Sequence, residues 1–80
     1  MNPMDLICDI LIDRAIIILN SKLGKPVNEL IRMIMKTQTY KDLMDKETYL
    51  YSKSPECIAY LLEAEFEGDN QVLQAFWEAD

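Results

Sequence analysis

Eighty residues suffice for one domain, close to the size at which a single core only just offsets chain entropy. Half of the residues are apolar and 28% are charged, a balance that supports a folded chain over a disordered one. The formal charge is −6, and residues 54–80 hold seven acidic side chains and no basic one, which argues against a phosphate-neutralising surface and for a basic partner.

In chain order, Asn2-Pro3 reads as an N-cap with proline at the first helical position, Asp5 suits the first turn, and Gly24 marks the stop. At about 100° per residue, this first helix is apolar over most of its circumference. Leu6, Ile10 and Ile17 share one face, Ile7, Leu11 and Ile18 the next, and Cys8, Ile12, Ile16 and Leu19 a third. Asp9, Asp13 and Asn20 form a polar strip, with Arg14 isolated opposite. The few other short helices can hardly cover so much apolar surface, so the face of Cys8, Ile12, Ile16 and Leu19 is expected to meet a second copy in a homodimer.

A second helix is expected from near Pro26, with Val27, Leu30, Ile31, Ile34 and Met35 as its apolar stripe. Thr39 and Asp42 have the spacing of a capping box for a short helix from Tyr40 to about Met44, and Asp45-Lys46-Glu47 reads as a turn. Thr48 to Lys53 then alternates, with Leu50 on one side and Tyr49 and Tyr51 on the other, which predicts an extended segment. Ser54-Pro55-Glu56 is a strong helix start, and that helix runs to Gly68 with Ile58, Leu61, Leu62 and Phe66 inward and Glu56, Glu63 and Glu67 outward. Asp69-Asn70 offers a cap for a last helix whose Val72, Leu73, Phe76 and Trp77 share a face. The expected architecture is therefore all-α: one domain, residues 1–80, built as a compact bundle of four to five short helices with one short extended segment near residues 48–53.

Catalysis is not expected. Histidine is absent, so the commonest general base is missing and neither Cys8 nor Cys57 has its usual activating partner. The cysteines form no CxxC pair and read as small hydrophobes in a reducing compartment, with no disulfide or zinc site. Gly24 and Gly68 sit at helix ends rather than in a phosphate loop, so no cofactor and no metal are expected. A carboxylate enzyme would instead need a deep pocket lined by Asp9 and Asp13. Asp5 and Asp9 stand where a secretory signal would be basic, and the apolar run Ile10 to Leu19 is short and broken by Asp13 and Arg14. No membrane association and a cytoplasmic location are expected.

Two surfaces are candidates for binding. One is the tyrosine group Tyr49 and Tyr51, with Tyr40 and Tyr60 nearby, and the other is the C-terminal helix with Phe76 and Trp77. Glu63, Glu67 and Asp69 are the carboxylates expected to steer a basic partner. Within residues 36–65, Thr39-Tyr40, Leu43, Asp45, Glu47-Thr48, Leu50-Tyr51, Ser54-Pro55 and Leu61-Leu62 resemble a pattern in small uncharacterised bacterial proteins, some encoded near toxin-like proteins. The resemblance implies a compact helical fold and a regulatory or antitoxin-like binding role, with no known activity. No basic recognition helix is present, so operator binding and direct nucleic-acid contact are not expected. The expected function is a small acidic interaction or regulatory module. The alternative is an acidic nucleic-acid mimic or inhibitor that occupies a basic cleft.

Overall fold

The computed structural model describes residues 3–79, and the Asn2 cap expected for the first helix lies outside them. Five α-helices follow in order: α1, Pro3–Leu23; α2, Val27–Met35; α3, Gln38–Met44; α4, Pro55–Phe66; and α5, Asn70–Glu78. Among the described residues there is no strand, and no helix is long and apolar enough to cross a membrane. The fold is an all-α bundle, as expected.

Local chemistry sets most of the boundaries. Gly24 and Gly68 adopt φ of 69° and 71°, the left-handed conformation that glycine takes without a Cβ penalty, and α1 and α4 stop there. The Ser54 hydroxyl accepts from the Cys57 amide at 3.1 Å with Pro55 in the first position of α4, and the Asp69 carboxylate accepts from the Val72 amide at 3.2 Å to open α5. The start of α3 differs from expectation. Its cap is Thr37, whose hydroxyl accepts from the Tyr40 amide at 3.1 Å, whereas Thr39 lies buried inside the first turn.

The segment expected to be extended is instead two 3₁₀ turns, Lys46–Thr48 and Leu50–Ser52. Side chains bond to nearby backbone here and so replace a partner strand. The Asp45 carboxylate accepts from the Glu47 amide at 3.0 Å, the Thr48 hydroxyl donates to the Asp42 and Asp45 carbonyls, and the Ser52 hydroxyl donates to the Tyr49 carbonyl at 2.7 Å. Leu50, almost wholly buried, pins the two turns against α1 and α3.

The core is one cluster, with Leu19, Leu30, Ile34, Leu43, Leu50, Ile58, Leu61 and Leu62 as its largest fully buried side chains. The most extensive packing is between α1 and α4, where Ala15 and Ala59 are both buried. The face of α1 assigned to a second copy belongs to this core. Cys8, Ile16 and Leu19 are buried and Ile12 packs partly buried against them, with the Cys8 thiol donating to the Leu43 carbonyl at 3.4 Å. The expectation of a dimer through this face is therefore corrected: Cys8, Ile16 and Leu19 are covered within the single chain and Ile12 is partly covered with them, so this face is not the open apolar surface of α1. The open face of α1 carries Leu6, Ile7, Ile10 and Ile17.

Candidate interaction site

Tyr49 joins the two 3₁₀ turns at φ 58° and ψ 16°, the left-handed region that a bulky residue rarely occupies. The ring gains little burial in return, since Tyr49 is 65% exposed. Strain retained at an exposed aromatic is a reason to look for function at that position. Beside it, α5 folds back along α4 and packs Leu73 and Phe76 against the core, leaving Trp77 exposed.

These elements line an open groove of about 460 Å³, to which the turns contribute Thr48, Tyr49, Ser52 and Lys53 and α5 contributes Phe76 and Trp77. Phe76 and Trp77 meet edge to face, with centroids 5.2 Å apart at 89°, a favourable arrangement for aromatic rings. The Lys53 ammonium lies 5.9 Å from the Phe76 ring centroid, within reach of a cation–π contact.

Three of the expected contact residues, Tyr49, Phe76 and Trp77, thus come together although the first and second are 27 positions apart in sequence. Tyr51 does not line the groove. It is half-buried against the core and touches Tyr49, with ring centroids 6.1 Å apart. Tyr40 also packs on the core, and Tyr60 is exposed over a separate shallow hollow beside Val72 and Phe76. The three carboxylates expected to steer a partner have different local roles. Glu63 is held by Lys22 at 2.7 Å, Asp69 caps α5, and Glu67 is exposed at the end of α4.

Two residues of consequence were not singled out by sequence reasoning. Lys53 enters the groove through the turn geometry and left no pattern of its own. Glu65 accepts from the Gln38 amide at 2.5 Å and from the amide and hydroxyl of Thr39 at 2.9 and 2.8 Å, which ties α4 to the start of α3. Its signal was legible, because Glu65 falls two turns after Ile58 on the buried face of α4, where a carboxylate requires partners.

Burial raises the pKa of both thiols; at Cys8 the carboxylates of Asp5 and Asp9 add to the effect, and at Cys57 the Lys53 charge opposes it. Both thiols therefore remain protonated at neutral pH, which is unfavourable for nucleophilic attack. Asp5, Asp9 and Asp13 are all exposed, and among the described residues no group of three or more Cys, Asp or Glu side chains is placed to hold a metal ion. Comparison with protein-family models, with curated proteins and with solved structures gives no match.

Replacing Tyr49 by glycine tests whether the ring is structural. Relief of the left-handed penalty, worth about 1–2 kcal/mol, opposes the added chain entropy of glycine, about 0.5–1 kcal/mol. Tyr49→Gly is expected to leave the urea midpoint unchanged or to raise it slightly. A fall corresponding to more than about 1 kcal/mol would show that packing of the ring is needed for the fold.

Proposed function

We propose that this chain is a small acidic interaction module, not an enzyme, whose groove receives an arginine- or lysine-bearing segment of another protein. The observation that carries the reading is the convergence of Tyr49, Phe76 and Trp77 on one groove, with Tyr49 held exposed at a strained backbone position. Aromatic faces accept cations and aliphatic stems alike, and Lys53 above Phe76 is an internal example of such a contact. The net charge of −6 favours encounter with a basic partner. The resemblance of residues 36–65 supports a regulatory, antitoxin-like setting, and the lack of a basic recognition helix speaks against direct nucleic-acid contact. A cytoplasmic location belongs to the same proposal, supported by two free cysteines.

The alternative, an acidic nucleic-acid mimic, has narrower support. It draws on the charge of residues 54–80, yet Glu63, Glu65 and Asp69 are engaged inside the fold. Trp77 is the only tryptophan, so its emission reports on the groove directly. Titration with a short peptide alternating arginine with apolar residues should give a saturable change in emission that weakens only mildly with salt and is lost in Tyr49→Ala. Steep salt dependence with no effect of Tyr49→Ala would favour the mimic. The absence of a saturable change would overturn the groove reading.

A further inference from the structure

Leu6, Ile7, Ile10 and Ile17 on the open side of α1 are 49%, 42%, 44% and 68% exposed. Single exposed aliphatics need no explanation, but four on one face of one helix form a patch of the kind that marks an interaction surface. In helical projection the patch is centred on the line joining Ile10 and Ile17, two turns apart, with Leu6 close to it. One margin carries Arg14 beside Ile7. The opposite margin carries Asp13, with Asp9 and Asn20 beyond it. Among the described residues Arg14 has no ion-pair partner, although Glu56 of α4 borders the same hollow beside Ile17.

This placement of charge is complementary to itself in one arrangement. When two copies of a helix pack in parallel about a two-fold axis running along them, the left margin of each faces the right margin of the other. Arg14 then meets the mate's Asp13, and the contact occurs twice. In an antiparallel pair the two-fold axis is perpendicular to the helices, and like margins meet: Arg14 faces the mate's Arg14 side, and the carboxylates face carboxylates. We propose that the chain forms a parallel homodimer through Leu6, Ile10 and Ile17 of α1, with reciprocal Arg14–Asp13 pairs along its edges. A heptad step between Ile10 and Ile17 is the spacing that keeps such a seam in contact. The surface lies on α1, away from the groove residues, and the proposal stands on observations independent of that reading.

The test is solution mass by light scattering over a dilution series, with circular dichroism recorded for each variant. The wild-type chain should show twice the chain mass at high concentration and dissociate on dilution. Ile17→Glu, at the most exposed position of the patch, should be a folded monomer. Arg14→Asp and Asp13→Arg should each weaken association about tenfold, since each reverses two edge contacts, and the double variant should recover most of that loss. A wild type that is monomeric throughout would overturn the dimer, as would a dimer indifferent to Ile17→Glu. Single variants that weaken association without recovery in the double would overturn the parallel arrangement. Titration of the groove with the arginine peptide should be the same for Ile17→Glu and wild type, so failure of one proposal is distinguishable from failure of the other.

Discussion

Ile16→Glu is expected to unfold the chain, whereas Ile17→Glu, one residue further along α1, leaves it folded. Ile16 is 7% exposed and belongs to the core cluster, while Ile17 is 68% exposed. A carboxylate at position 16 would lose the burial of the isoleucine, about 2–5 kcal/mol by analogy with truncations in cores, and would add an unpaired charge at a cost of several kcal/mol more. Asp13, one turn before it, and Asp9, two turns before it, supply like charge on the same side of the helix. Against this stands a total stability of about 4–12 kcal/mol for a chain of this length. The thermal midpoint of Ile16→Glu should fall by about 20 °C or more, or the cooperative melt should vanish, with loss of helical dichroism. A melt within a few degrees of wild type would mean that α1 does not pack on α4 in the way described. The contrast between adjacent positions separates the core from the dimer surface, because a variant that merely splits a dimer retains its helical signal.

The same two positions show where the sequence stopped being informative. α1 is apolar on three faces of similar strength, so its end signals, Pro3, Asp5 and Gly24, mark the helix while no single face stands out as the buried side. Selection depends on where α4 and α2 land, which is decided by contacts distant in sequence. The stops at Gly24 and Gly68 and the caps at Ser54 and Asp69 were legible because each depends on a residue and its near neighbours. Residues 48–53 misled for a related reason. Leu50 between Tyr49 and Tyr51 imitates a period of two over a few residues, and a 3₁₀ turn is short enough to hide behind that pattern. What decides the matter is the set of hydroxyl and carboxylate bonds from Asp45, Thr48 and Ser52 to nearby backbone. Tyr49, Phe76 and Trp77 could be named from residue type alone, yet their meeting in one groove required α5 to fold back along α4. Tyr51, chemically identical to Tyr49, lies within the second 3₁₀ turn and packs partly buried against the core, whereas Tyr49 sits at the left-handed step and stays exposed, a difference that a period of two does not express.

Glu65→Ala should destabilise the chain by about 3 kcal/mol, with Glu65→Gln losing about half as much. The seven residues of α3 are too few to form a stable helix alone, so its start depends on outside partners. Thr37 satisfies the Tyr40 amide, and the Glu65 carboxylate satisfies the amides of Gln38 and Thr39 together with the Thr39 hydroxyl. Thr39 is 4% exposed, so water cannot readily replace the lost acceptor. A buried donor left without a partner costs about 1–3 kcal/mol, and bonds to a charged acceptor are worth about 1.5–3 kcal/mol each. The glutamine keeps one acceptor oxygen and forfeits the charge, which accounts for its intermediate position. The effect should extend to the groove, since the Thr48 hydroxyl bonds to the Asp42 carbonyl of α3 and Thr48 precedes Tyr49 directly. Urea denaturation gives the stability of each variant, and amide hydrogen exchange at Gln38 and Thr39 tests the local cause. Glu65→Ala should accelerate exchange at those two amides beyond the change at Ile58 and Leu62, and should weaken binding of the arginine peptide. A loss of stability below about 0.5 kcal/mol, the range of ordinary surface substitutions, would show that α3 is held by its apolar contacts through Leu43 and not by the carboxylate of α4.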